Sequence, residues 1–165
     1  MRIQNNLNSI DEVHTLSKLQ DVNTDLITTL LGEKLGSGTY RSVYKHNWDD
    51  NWVIKIEPNN TNCNETEYIL WDEVQGLIGD LAWVKDWFAP IHWISPNGKI
   101  LCMQRTYPYP KNKKLQRPDK IPSFFTDVKW GNFGWIGNKF VCHDYGFIYK
   151  FIKYENKMQK VKNTW

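Results

Sequence analysis

The spacing of apolar positions along this chain switches between helical and strand periods. Ile10, Val13, Leu16, Leu19 and Val22 recur at a near-helical interval, and Leu26, Ile27, Leu30 and Leu31 resume it after the polar interruption DVNTD. The spacing predicts one or two short helices over residues 1–30, packed on the main domain. From Leu31 the texture is that of strands. LGEKLGSGTYRSVYKHN and NWVIKIEP are β-branched or aromatic runs joined by the polar turn HNWDDN. NETEYILWDEVQGLI returns to a helical period, with Tyr68, Leu70, Trp71, Val74, Leu77 and Ile78 on its apolar side. Asn64 is its expected cap and Gly79 its expected stop. WFAPIHWISPNGKILCMQRT reads as a hairpin turning at SPNGK, and YPYPKNKKLQRPDKIP as a proline-rich linker or irregular loop. NFGWIGNKFVCHDYGFIYKF alternates around IGNK, which predicts a last small hairpin. The order of elements defines an α+β chain.

Composition narrows this picture. At 165 residues the chain fits one compact domain, and its nine tryptophans supply ample core material. Mean hydropathy is −0.60, and no run approaches the roughly 18 apolar residues of a membrane span. The segment MRIQNNLNSIDEVHTL has no apolar signal-peptide core, so export is not expected. Cys63, Cys102 and Cys142 lack metal-site spacing and fit free thiols in a reducing, cytoplasmic compartment. Net charge is +3, and Lys111, Lys113, Lys114, Arg117 and Lys120 form its one dense basic run. Such a run can contact nucleic-acid phosphates, but a solvated loop is the preferred reading, and nucleic acid is not expected as a partner.

Candidate chemistry begins with Gly36 and Gly38. A glycine pair at a strand bend lets backbone N–H groups approach phosphate oxygens, although it also marks plain hairpins. Lys55 lies between Ile54 and Ile56, on the opposite face from both. If that face is inward, its ammonium needs partners, and a phosphate and a carboxylate would serve. Glu67, one turn ahead of Trp71 on the following helix, is the available carboxylate, whereas Glu65 and Glu73 read as a solvated surface. Downstream, TDVKWGNFG brings Asp127, Lys129 and Asn132 close together, and CHDYGF adds Asp144. A carboxylate, an ammonium, an amide and a second carboxylate are the groups that phosphoryl transfer requires.

Taken in order, these segments resemble a pared-down protein kinase of the Ser/Thr type. LGSGTYRSV resembles the glycine-rich loop, VIK the phosphate-anchoring lysine, and Glu67 the helix glutamate that pairs with it. ILCMQRT is similar to the strand leading into the hinge, with Met103 as gatekeeper, DVKWGN to the catalytic loop D-x-K-x-x-N, and DYG to the metal-binding D-F-G. The resemblance implies an N-terminal helical extension over 1–30, a kinase-like N-lobe of antiparallel sheet plus one helix over 31–103, and a hinge with a truncated C-terminal lobe over 104–165. It implies ATP and Mg²⁺ as cofactors. Asp127 would orient or deprotonate the hydroxyl, and Lys129 would contact the γ-phosphate. Asn132 and Asp144 would bind Mg²⁺. Lys55, steadied by Glu67, would hold the α- and β-phosphates beneath Gly36 and Gly38. Leu35 and Val43 would line the nucleotide pocket, with Val43 covering the adenine, and the backbone of Gln104 and Arg105 would bond its edge. Lys129 favours the protein kinases over related small-molecule phosphotransferases, which more often carry histidine there.

The pattern also departs from that family. Arg41 stands where a third glycine is usual, so its side chain is expected to turn away from the phosphates. Phe125-Thr126 replaces the His-Arg ahead of the catalytic aspartate, so control by a phosphorylated activation loop is not expected. No A-P-E-like segment follows Gly146, and the helical lobe that holds a peptide substrate is nearly absent. Two functions follow as expectations. One is an ATP/Mg²⁺-dependent transferase acting on a protein hydroxyl, including its own. The other is a nucleotide-binding pseudokinase that binds and inhibits a partner through aromatics such as Trp130 and Trp135.

Overall fold

A computed structural model describes residues 24–146, 148 and 157–161. Most of the helical pattern expected over residues 1–30 lies outside the described residues; its end is the helix α1, Thr24–Leu30. The chain then builds a five-stranded antiparallel sheet from β1 (Leu31–Ser37), β2 (Ser42–His46), β3 (Trp52–Ile56), β4 (Ile91–Ile94) and β5 (Ile100–Gln104), in the order β1-β2-β3-β5-β4. Among the described residues one longer helix, α2, spans Cys63–Gln75. The fold is therefore α+β, as expected. No helix among the described residues is long and apolar enough to cross a membrane.

Strand alternation separates two cores. Ile54 and Ile56 point to one face, where they pack with Tyr44, Ile100, Cys102 and Ile27 from α1. Val53, Leu101 and Met103 point to the other, against Leu70 and Val74 of α2. Lys55 shares this second face, opposite Val43 on β2 and Leu101 on β5. The same period that buries the isoleucines thus drives one ammonium inward.

The helix starts differently from the sequence expectation. Its cap residue is Asn62, in a left-handed conformation at φ 58, and makes no side-chain cap bond. The carboxylate of Glu57, just past β3, instead accepts the N–H of Asn64 at 2.8 Å and that of Thr61 at 2.9 Å. A buried anion at a helix N-terminus satisfies orphan donors and complements the dipole. Asn64 is freed for a structural role: its Nδ2 donates to the Lys99 carbonyl at 3.1 Å. The helix ends at Gly76 rather than Gly79, which opens a 3₁₀ segment, Gly79–Trp87, that the apolar spacing did not predict. Tyr68 and Ile78 are exposed, contrary to their expected place on the apolar side.

The remainder contains no α-helix among the described residues. β7 (Phe133–Ile136) and β8 (Lys139–Cys142) form the expected hairpin, turning at Gly137 with φ 61. A pairing that sequence periodicity did not foresee joins β6 (Lys120–Pro122) to β9 (Met158–Lys160). Backbone links dock the hairpin at three places: Ala89 N–H donates to the Cys142 carbonyl at 2.8 Å, Tyr107 and Trp135 exchange bonds at 2.9 and 2.8 Å, and Lys111 N–H donates to the Gly137 carbonyl at 2.8 Å. An aromatic cluster of Phe88, Phe124, Phe125, Phe133, Phe140 and Trp135 fills the space between sheet and hairpin, with Tyr145 edge-on to Phe88. Trp135 is buried here, so it is not the exposed interface aromatic expected.

Gly134 sits where this hairpin presses on the segment after β5. A Cβ there would come within 2.7 Å of the Thr106 side chain and 3.1 Å of the Tyr107 carbonyl. Gly134→Ala is expected to destabilise the protein by about 1–3 kcal/mol through overpacking. Urea unfolding checks this, and an unchanged midpoint would show that the contact relaxes freely.

Candidate functional site

A cleft of about 380 Å³ opens between the sheet and the segments that follow it. Leu35, Gly36, Val43, Val53 and Lys55 form its roof and back, Met103 to Pro108 its inner edge, and Trp130, Gly131, Phe133 and His143 its floor. Of the residues expected to contact a nucleotide, Leu35, Gly36, Val43, Lys55, Met103, Gln104 and Arg105 all line this one space. Gly38 does not; its N–H closes the β1–β2 turn on the Arg41 carbonyl at 2.8 Å. At Gly36 a Cβ would meet nothing within 4 Å, so the volume beside it is open. The walls are apolar, the usual character of a small-molecule site.

The inner edge needs one correction. The Gln104 N–H is committed to the Pro90 carbonyl at 2.8 Å and the Arg105 N–H to the Asn51 carbonyl at 2.7 Å. Neither is available to a ligand. Pro90 has no N–H to return, so the Gln104 carbonyl lacks the reciprocal bond. Among the described residues the Thr106 N–H has no protein acceptor. The donor and acceptor on this edge are therefore Thr106 N–H and Gln104 C=O, two residues apart.

Behind the cleft lies a cluster of four charges. The Lys55 ammonium donates to Glu67 Oε2 at 2.8 Å and to the His143 carbonyl at 2.5 Å. Glu67, fully buried on α2, also accepts the Tyr145 N–H at 3.0 Å. Arg41 grips the same carboxylate with both terminal nitrogens, at 2.7 and 3.0 Å, and reaches Asp144 Oδ1 at 2.5 Å. The expectation that Arg41 turns away is not met. It turns inward because the buried Glu67 carboxylate accepts both of its terminal nitrogens, with Asp144 and Asn64 beside it. Burial alone would raise the Glu67 pKa, but Lys55 and Arg41 outweigh it and hold the group at about 2. Burial pulls the Lys55 pKa below its usual value, with Glu67 opposing it.

The third group is the loop from Asp127. Lys129 Nζ lies 3.0 Å from the Asp127 carboxylate, and Asn132 Nδ2 donates to Asp127 Oδ2 at 3.0 Å and to its carbonyl at 2.9 Å. A 3₁₀ turn, Trp130–Asn132, sets this spacing. The loop is tied to the Asp144 segment, because His143 N–H donates to the Asn132 carbonyl at 2.8 Å. Asp127 and Asp144 share the wall of one small cavity. Among the described residues, no three His, Cys, Asp or Glu side chains are grouped to hold a metal by themselves. The donor set available is instead Asn132 Oδ1, left over by the bonds of its Nδ2, and Asp144 Oδ2, beside the oxygen that Arg41 takes. Two protein oxygens suit a Mg²⁺ that also keeps water and phosphate ligands.

His143 joins the cleft floor to its edge. Its Nδ1 is 2.8 Å from Thr106 Oγ1 and its Nε2 is 2.8 Å from the Gly131 carbonyl. The carbonyl can only accept, so Nε2 carries the proton and Nδ1 accepts from the threonine. Burial and the Lys55 charge push the pKa down to about 4. Because the folded value lies below the unfolded value near 6.5, the unfolded chain takes up the proton first as pH falls. Stability is therefore full above pH 6.5 and is expected to fall by about 2–3 kcal/mol towards pH 4. Urea unfolding across this range checks it; His143→Gln should flatten the slope, and a wild-type slope in that variant would remove the assignment.

Four contributors were not foreseen: the inward Arg41, the Glu57 cap, the Thr106 N–H, and Phe125 as a core residue at the place where the family carries histidine. Only Phe125 carried a local signal, its place in the apolar pair Phe124-Phe125. Of the basic run, Lys111, Lys113 and Lys114 are exposed on a loop, Lys120 opens β6, and the Arg117 guanidinium stacks on Trp130 of the cleft floor. No family model and no curated protein matches this chain.

Proposed function

We propose that this chain is a minimal protein kinase-like phosphotransferase that takes ATP in the 380 Å³ cleft and passes its γ-phosphoryl group to a protein hydroxyl. One observation carries the reading. Lys55 and Asp144, far apart in sequence, are joined through Glu67 and Arg41 at the back of the cleft that Leu35, Gly36, Val43 and Met103 enclose. The adenine would lie under Val43, with its edge towards the Gln104 carbonyl and Thr106 N–H. Its phosphates would run beneath Gly36 to Lys55. Asn132 and Asp144 would hold Mg²⁺, which when bound would neutralise phosphate charge.

At the other end Asp127 is partly exposed, with Lys129 and Asn132 fixing its carboxylate. A substrate hydroxyl oriented by Asp127 would attack the γ-phosphorus. The new O–P bond forms as the bond to the β-phosphate oxygen breaks, ADP departs, and the hydroxyl proton passes to Asp127. Lys129 would stabilise the charge on the moving phosphoryl group.

The second reading, a pseudokinase that binds nucleotide and inhibits a partner, is favoured by the Arg41 contact on Asp144, which takes one of the oxygens a metal would use. A thermal melt with ATP and Mg²⁺ separates both readings from a chain that binds no nucleotide, since a ligand selective for the folded state raises Tm. Phosphate transfer from radiolabelled ATP, to the chain itself or to lysate proteins, then separates the two. An unshifted melt would remove both.

A further inference from the structure

We infer that Arg41 is a resident cation on the carboxylate of Asp144, so that its guanidinium and a divalent metal are alternatives there and nucleotide binding depends little on the metal. The inference rests on the nucleotide-binding reading above. Four contacts fix the side chain: two to Glu67, one to Asp144 Oδ1, and one from Nη1 to Asn64 Oδ1 at 3.3 Å. The side chain is only 9% exposed. A planar fork with this much pairing is a built feature rather than a surface arginine at rest. Pairing with Glu67 keeps it charged against the pull of burial.

The charges show what this does. Lys55 and Arg41 balance Glu67 and Asp144, so phosphates entering the cleft face a neutral group. Without Arg41 they would face a net negative one, and a divalent ion would be needed to screen Asp144. The guanidinium also repels a metal approaching the same carboxylate, since both are cations competing for one anion. The two effects act in the same direction, each lowering the advantage that Mg²⁺ gives to nucleotide binding. Arg41 lies in the turn between Gly38 and β2, so the glycine-rich segment is tethered to Asp144 through this one side chain. It is a positioning residue: it acts through Asp144.

The test is calorimetric titration of the full chain with ADP and with ATP, in excess Mg²⁺ and in EDTA. Wild type should bind within about threefold in the two conditions, whereas Arg41→Ala should bind at least about tenfold more tightly with Mg²⁺. Arg41→Lys keeps the charge and should stay near wild type. Asp144→Asn removes the shared anion and should bind equally well with and without the metal. A wild-type preference for Mg²⁺ of tenfold or more overturns the inference, and this holds even if Arg41→Ala fails to fold. A folded wild type that binds nucleotide under neither condition overturns the nucleotide reading as well, so the two failures are distinct.

Discussion

Replacing Lys55 by methionine should abolish nucleotide binding and destabilise the fold by about 3 kcal/mol. The ammonium is buried at 4% exposure and donates to Glu67 and to the His143 carbonyl. Its loss leaves a fully buried carboxylate with Arg41 and one backbone N–H as remaining partners. Breaking one side of a buried pair usually costs about 3–5 kcal/mol, and the surviving arginine places this case at the low end. Adding Glu67→Gln removes the stranded charge, so the double variant should recover stability without recovering binding. Urea midpoints and nucleotide titrations read the two quantities separately. A double variant no more stable than Lys55→Met would show that the destabilisation has another source.

Asp127→Asn should lower phosphoryl transfer by about 10²- to 10⁴-fold, the range for loss of a positioned proton acceptor. Nucleotide affinity should not change, because Asp127 lies outside the 380 Å³ cleft proposed to take the nucleotide and lines the smaller cavity shared with Asp144. Asparagine keeps the size and one oxygen of the side chain but cannot take the proton. The prediction is thus a fall in kcat with an unaltered Kd for ATP. Equal labelling by wild type and variant, none by either included, would remove Asp127 from the mechanism.

Local signals were sufficient where one period fixed a side chain's direction. Strand alternation in VIKI required Lys55 to face away from Ile54 and Ile56, and helix geometry put Glu67 on the side towards the sheet. The β4–β5 and β7–β8 hairpins followed from their turn residues, and Gly36, though not Gly38, marked the open roof of the cleft. Six of the seven expected contact residues that line that cleft sit on strands adjacent in the sheet, β1, β2, β3 and β5, and Arg105 follows β5 directly.

Other assignments depended on partners distant along the chain. The expected Asn64 cap was displaced by Glu57, a residue whose role is invisible until the end of β3 is seen to meet the start of α2. Arg105 N–H was a reasonable hinge donor until the chain crossing at Asn51 consumed it, which passed that role to Thr106. Trp135 read as an interface residue but closes the aromatic core under the hairpin.

By itself the sequence determined the alternation of strands and helix, and with it that Lys55 faces away from its isoleucine neighbours and Glu67 towards the sheet. Whether Arg41 leaves the site or enters it was decided only by tertiary structure, because a long flexible cation has no preferred direction of its own. It goes where a buried carboxylate can accept both of its terminal nitrogens. That carboxylate, Glu67, comes within reach only when α2 closes over the sheet.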